Sequence, residues 1–375
     1  MPLPFKLVSA DSHIVEPPDM WLKHIDKKYR DRAPRIELGQ GRDSFVCEDS
    51  PRSGGGLGLI ATRQKYEDPE HDFGFEGNWD NVVEAAYDPD ARIETLDAEG
   101  IEAELLYTSL GLTMYGIKDP QFQFACMRAF NDWLAEFCAA HPKRLFGIAM
   151  VPTDDVAVGV AEIERAAKLG HRGAMISITQ DGGEKGYMDE LYEPLWSAAE
   201  DARMPLSLHV AASKKSFVST GNIMADFSCA FTPTMYTVAG MIFSGLFDRH
   251  RKLKVLSVEN DAAWPLGILE RMDDRYEHDN LWAATANFIT SGRKPSEIFR
   301  EHVAATFMRD RTAILSREII GRENIMWGSD YPHFDGAWPD SAGDLASQFG
   351  GIPLEDQVRI GRTNAIKFYD LPLAV

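Results

Sequence analysis

Eight short apolar runs recur along the chain, separated by longer segments whose apolar positions fall at helical spacing. In order, the runs are KLVSADSHI, AELLYTS, LFGIAMV, RGAMISI, PLSLHV, KVLSVE, VAATFM and IMWGSD. They show little polar alternation, which suits parallel strands covered on both faces. The stretches Asp119–Ala140, Asp155–Leu169, Met188–Arg203 and Ala262–Tyr276 read as amphipathic helices, and Glu355–Tyr369 reads as a last, closing helix. Eight strand–helix units predict an α/β fold, a (β/α)8 TIM barrel rather than a doubly wound open sheet. No linker divides residues 1–375, so one catalytic domain is expected.

Two regions interrupt the rhythm. Residues 31–90 carry Gly, Pro and charged clusters, among them Arg52-Ser53-Gly54-Gly55-Gly56, and read as a cap inserted after the first strand. Gly54–Gly58 is no phosphate loop, because neither GK[ST] nor a helix start follows it. Residues 213–231 form a second excursion after the fifth run, and long loops on a barrel top shape substrate pockets.

Composition narrows the function. The 375 residues, 44% hydrophobic and 26% charged, suffice for a barrel with insertions. Lys plus Arg total 39 against 58 Asp plus Glu, a formal charge of −19. Such a surface repels nucleic acid and anionic membrane, so a small-molecule substrate is expected. MPLPFKLVSADSH lacks the features of a signal peptide, and no stretch approaches the roughly 20 apolar residues that span a bilayer. Cys47, Cys126, Cys138 and Cys229 show neither CxxC pairing nor a disulfide framework, and a cytoplasmic location is the expectation.

The candidate chemistry collects at the ends of the runs. Asp11-Ser12-His13 ends the first. Residues two apart on a strand point the same way, so Asp11 and His13 can converge on one ion. His209 ends the fifth run, Glu259 the sixth and Asp330 the eighth. Singly, each has a plain alternative as a backbone-bonded histidine, a solvated carboxylate or a helix cap. Together they set five acidic or imidazole groups at strand C-termini, where barrel active sites sit. Three carboxylates that close require a compensating cation, which points to a metal. Glu16, just past the first strand, is either a further ligand or a partner that orients one. His333, in Ser329-Asp330-Tyr331-Pro332-His333, can orient Asp330 or act on substrate. The other histidines, including His71 in the cap and His171 and His302 before strands, read as structural. Trp79, Trp264, Trp327 and Trp338 are candidates for an aromatic pocket, whereas Trp133 and Trp196 read as core.

The segments SADSHIVEPPD, YDPDARIETLDAEGIEAELLY, LSLHV, VENDAAWP and WGSDYPH resemble the amidohydrolase-related family of the amidohydrolase superfamily. That group includes nonoxidative decarboxylases similar to aminocarboxymuconate semialdehyde decarboxylase. The likeness runs from Leu7 to about Tyr369. It implies that Asp11 and His13 are the first-strand metal pair, in a slot commonly HxH, and that His209 is the fifth-strand metal histidine. It also implies that Asp330 touches the metal and serves as acid or base. Glu259 falls where many relatives carry histidine. The fourth run offers Met175-Ile176-Ser177 and no lysine, so no carbamylated-lysine bridge is expected. Arg92, Asp97 and Glu99 recur in the family pattern and read as helix and barrel-base packing.

Asp11, Glu259 and Asp330 bring three negative charges against two neutral imidazoles. Either two divalent ions bind, or one carboxylate stands outside the coordination sphere. Zinc is the expectation, with iron or manganese as alternatives. The leading functional expectation is a metal-dependent hydrolase. Asp330 accepts a proton from metal-activated water, which attacks a carbonyl-type substrate (amide, ester, thioester, lactone or activated C–C bond), and His333 stabilises the oxyanion. The alternative is a metal-dependent nonoxidative decarboxylase of an aromatic or unsaturated carboxylic acid. A non-catalytic barrel scaffold is the third reading, opposed by the retention of Asp11, His13, His209 and Asp330. Analogy with similar barrels suggests a homodimer.

Overall fold

The computed structural model describes residues 3–39, 43–50, 56–60, 62, 77–179, 186–214, 220–279 and 282–375. Its strands are β1 (Leu7–His13), β2 (Arg35–Glu37), β3 (Ser44–Val46), β4 (Ile101–Tyr107), β5 (Leu145–Met150), β6 (Gly173–Ile176), β7 (Leu206–His209), β8 (Val255–Val258), β9 (Val303–Phe307) and β10 (Ile325–Trp327). The eight apolar runs are β1 and β4 to β10, joined side by side in chain order as one sheet. Every pairing is parallel, as in His13 opposite Tyr107 and His209 opposite Val258. The expected α/β TIM barrel is therefore present, and its strands are buried almost throughout because helices cover the outer face.

The helices begin and end where local chemistry directs. Asp119 and Asp155 cap helices Pro120–Ala140 and Val156–Leu169, each accepting two backbone N–H groups of the first turn. Gly170 ends the second of these at φ 96°, a left-handed conformation that costs glycine little. The segment 188–203 is a shorter helix, Glu193–Asp201, preceded by 3-10 turns, and 262–276 opens as the turn Trp264–Gly267 before helix Leu269–His278. Pro194 and Pro265 sit at the starts of the helix and the turn, where a missing N–H does no harm. The closing segment is helix Leu354–Val358, a π-turn at Arg359–Thr363 and helix Asn364–Phe368. Among the described residues, no helix is long and apolar enough to cross a membrane.

The ends of the sheet, β1 and β10, meet through a seam. The Asp330 N–H donates to Asp11 O at 3.0 Å and the His13 N–H to Tyr331 O at 2.7 Å. Buried hydroxyls of Ser9, Ser12 and Ser329 bond one another across it, with Ser12 to Ser329 at 2.9 Å. Gly328 permits the approach, since a Cβ there would lie 2.4 Å from that of Asp11.

Within the 31–90 excursion, β2 and β3 form a small antiparallel hairpin. Phe45 packs on Trp21 with ring centroids 6.0 Å apart, Arg32 bonds Asp119 at 3.0 Å, and Leu59 O accepts the Phe334 N–H at 3.0 Å. The described part of this excursion thus packs against helix Pro120–Ala140 and the loop after β10. Gly54, Gly55 and His71 lie outside the described residues.

His171 and His302 are buried at the N-terminal side of the barrel, bonded to Asn131 O at 3.0 Å and Leu253 O at 2.9 Å. Burial lowers both imidazoles below their ordinary 6.5, and His13 behaves alike. Below that value the unfolded chain binds more protons than the folded one, so stability falls as pH drops. Asp261, pushed up to about 6 by burial and then by Asp310, and Glu16, raised by burial, oppose this as two groups against three. The metal-free protein should melt at a lower temperature at about pH 5.5 than at about pH 7.5. Calorimetry checks this, and a higher melting temperature on acidification would contradict it.

Candidate metal centre

The side chains singled out in the sequence reach one spot by two devices. Strand alternation turns Asp11 and His13 to the same side of β1, and His209 is the last residue of β7. Glu259 and Asp330 instead follow their strands with left-handed φ of 55° and 54°, and Ala211 and Asp261 at the same mouth share that conformation at 64° and 55°. Such backbone costs a non-glycine residue about 1–3 kcal/mol. Its concentration at strand C-termini marks a place where side-chain direction outweighs local comfort.

The resulting cluster is tight. His13 Nε2 lies 3.3 Å from Asp330 Oδ1, 3.7 Å from Asp11 Oδ1 and 3.8 Å from Glu259 Oε2. His209 Nε2 lies 3.6 Å from Asp11 Oδ1 and 3.4 Å from Glu259 Oε2. The two Nε2 atoms are 3.2 Å apart. Ligand atoms of Asp11, His13 and His209 all fall within 4.8 Å of one another, as do those of His13, Glu259, Asp330 and His333.

Hydrogen bonding fixes the histidine tautomers. His13 Nδ1 sits 2.7 Å from Thr108 O and His209 Nδ1 2.8 Å from Val210 O. A carbonyl only accepts, so each Nδ1 carries the proton and donates it. Burial, followed by the neighbouring His333 and His209, holds the His13 imidazole far below its usual range, hence neutral. The Nε2 of His13 therefore presents a lone pair, and His209 turns its Nε2 to the same point. Asp11 Oδ1, buried with no hydrogen-bond partner among the described residues, faces it too. Two imidazole nitrogens and a carboxylate oxygen converging there form a set that a divalent cation fits, with nitrogen and oxygen donors and no thiolate.

A different pattern surrounds His333. The Ser109 hydroxyl donates to Ile14 O at 2.7 Å, so its oxygen accepts from His333 Nε2–H at 3.0 Å. The other nitrogen, Nδ1, meets Asp330 Oδ1 at 2.9 Å. A proton shared by Asp330 and His333 would sit there, beside the cluster.

Glu16 resolves to its second reading. Its buried carboxylate accepts from the Thr108 hydroxyl, from Leu110 N–H at 3.0 Å and from Gly111 N–H at 3.3 Å, so both oxygens face the loop after β4. It acts on the cluster through Thr108, whose carbonyl orients His13. Arg92 departs from the barrel-base expectation. Its buried guanidinium pairs with Glu104, donates to His13 O at 2.9 Å and Tyr331 O at 3.4 Å, and lies 4.5 Å from the Tyr331 ring centroid. It braces the β1–β10 seam directly beneath the cluster. Asp97 and Glu99 keep to structural partners, Arg144 at 2.8 Å and Ser341 N at 2.8 Å. Thr108 and Ser109 were missed, although their place at the end of a barrel strand was the available signal.

A cavity of about 810 Å³ opens above the cluster, with Asp11, Glu259 and Asp330 in its floor. Phe227, Phe231, Met235 and Trp264 are among its walls. Residues 227–231 of the second excursion thus border the pocket, while no described residue of 31–90 lines it. Of the tryptophan candidates only Trp264 reaches it. Trp327 is buried in the core, Trp79 packs 5.0 Å from Tyr87, and Trp338 meets Tyr331 at 5.5 Å.

The amidohydrolase family profile matches residues 105–371. A γ-resorcylate decarboxylase of Rhodococcus jostii (strain RHA1) is 26% identical over 313 residues, covering 78% of this chain and 91% of that one. The crystal structure of an amidohydrolase from Mycobacterium avium subsp. paratuberculosis K-10 superposes with a TM-score of 0.75 at 22% identity, covering 98% and 100% of the two chains. A dihydroxybenzoic acid decarboxylase from Polaromonas sp. JS666, solved with manganese and the inhibitor 2-nitroresorcinol, gives 0.65 at 20% identity over 99% and 98%.

Because Glu16 acts through Thr108, Glu16→Gln should weaken Mn²⁺ binding by roughly 10–100-fold, the usual effect of losing a group that orients a ligand. Titration calorimetry should show unchanged stoichiometry. Loss of the binding site altogether would make Glu16 a ligand.

Proposed function

The chain belongs to the amidohydrolase family, and from this we propose that it is a metal-dependent, nonoxidative decarboxylase of an aromatic carboxylic acid. The observation that carries the reading is the approach of His333 Nδ1 to within 2.9 Å of Asp330 Oδ1 at the cavity floor, a place for one shared proton. Replacing a carboxylate on a ring by hydrogen needs an acid at that place, whereas attack by water needs an empty base. The similarity to decarboxylases points the same way. This moves the leading expectation from hydrolysis to its stated alternative.

Asp11, His13, His209 and Asp330 would hold one divalent ion. We assign manganese rather than zinc, supported by the carboxylate-rich donor set and by the manganese in the related decarboxylase structures. When bound, the ion supplies a Lewis acid that holds the substrate carboxylate and lowers the cost of charge building up beside it. One ion suffices for charge balance when Asp11 and Asp330 offset it and a proton on the Asp330–His333 pair offsets Glu259. The Nδ1–H bonds of His13 and His209 aim both Nε2 atoms at the ion, and Ser109 keeps His333 facing Asp330. The Asp330–His333 pair delivers its proton to the ring carbon that bears the carboxylate. The C–C bond then breaks, its electrons restore the aromatic ring, and carbon dioxide departs.

Hydrolysis remains a second reading because of Glu259. Its side chain is 25% exposed, lines the cavity and stands 3.4 Å from His209 Nε2, a place from which a base could work on water.

With Mn²⁺-loaded protein and hydroxyaryl acids in deuterated water, carbon dioxide should appear together with deuterium on the ring carbon. Asp330→Asn should lower that rate by about 10²–10⁴-fold, the usual weight of a positioned acid–base group. Solvent oxygen-18 in a product acid, without carbon dioxide, would establish the hydrolase instead.

A further inference from the structure

The cavity is larger and more apolar than a single-ring hydroxybenzoate requires. Pockets of about 300–1,000 Å³ enclose drug-sized ligands, and at about 810 Å³ this one lies toward the upper end of that range. Besides Asp11, Glu259 and Asp330 at its floor, Phe227, Phe231, Met235, Trp264, Ile268 and Phe307 line it. A ring seated at the floor would leave much of this surface against water, forfeiting the gain from burying apolar area.

The apolar character continues to the rim. In helix Ile223–Ser228, Ile223 is 40%, Met224 75% and Phe227 45% exposed, and Phe227 is also a wall of the cavity. A contiguous exposed apolar patch beside a pocket marks a binding surface.

The charges in the walls restrict the ligand further. Arg309 is the cation among the lining residues, and its guanidinium is already engaged by Asp344 at 2.8 Å and by Asp335 O at 2.9 Å. Asp310 directs its carboxylate to the backbone N–H groups of Ala262, Ala263 and Ala313. Asp261 and Asp335 add negative charge. Among the described lining residues, a second anionic group away from the floor would meet repulsion with no available counter-charge.

We infer that the substrate is a hydroxyaryl acid with one carboxylate and an uncharged apolar body extending well beyond one ring, such as a fused or second aromatic ring. The inference takes its head group from the decarboxylase reading and its body from the cavity alone. Mn²⁺-loaded protein is compared in two ways. By titration calorimetry, 1-nitro-2-naphthol should bind at least tenfold more tightly than 2-nitroresorcinol. In turnover, 1-hydroxy-2-naphthoate should exceed 2,6-dihydroxybenzoate in kcat/KM by at least tenfold. Ala263→Phe, which narrows the wall beside Trp264, should reduce both ratios. Equal binding of the two nitro compounds, or tighter binding of 2-nitroresorcinol, overturns the inference. If neither acid releases carbon dioxide while the naphthol binds more tightly, the decarboxylase reading fails and the apolar-body inference stands.

Discussion

Two backbone hydrogen bonds, Asp330 N–H to Asp11 O and His13 N–H to Tyr331 O, hold the first and last barrel strands in register at the mouth. The rest of the site depends on that closure. It brings together groups more than three hundred residues apart in sequence, with the hydroxyls of Ser9, Ser12 and Ser329 bonded across it. The approach is close enough that Gly328 admits no side chain against Asp11. Arg92 then clamps both acceptor segments from below, with its charge met by Glu104 in the same buried space. A buried pair of this kind contributes little net stability, but removing one partner costs about 3–5 kcal/mol. Its value here is geometric, since it keeps His13 and Tyr331 at a fixed separation.

On that frame the site sorts its imidazoles by hydrogen-bond partner. His13 and His209 each donate Nδ1–H to a backbone carbonyl, which turns their Nε2 atoms inward beside Asp11. His333 instead meets Ser109 and the Asp330 carboxyl. The rings of His333 and His13 lie with centroids 4.0 Å apart. Burial, and then the neighbouring His333 and His209, lower the His13 imidazole.

The cavity's acidic floor and its apolar walls come from different parts of the chain. The floor is built from β1 and the residues after β8 and β10, held by the barrel's backbone. The walls come from the 213–231 excursion, the helix after it, the turn at Trp264–Gly267 and the end of β9. Loops and helices at a barrel mouth can change without disturbing the strands, which is how one arrangement of ligands serves many substrates.

The sequence by itself determined the strands and, through them, the candidate ligands. The eight apolar runs became the eight barrel strands to within a few residues, because burial on both faces leaves a continuous local signal. Asp11, His13, His209, Glu259 and Asp330 were legible because each ends such a run, and position on a strand is local information. Helix boundaries followed the pattern less closely where Pro265 and the π-turn at Arg359–Thr363 intervened. Only the tertiary structure decided that Glu16 bonds Thr108 and the loop after β4, and that Arg92 supports the mouth rather than the base. It alone also decided which partners each imidazole meets and how large the cavity is. Those properties arise from hydrogen bonds and contacts between segments distant in the chain. A one-dimensional pattern of polarity contains the donors and acceptors, but not which of them meet.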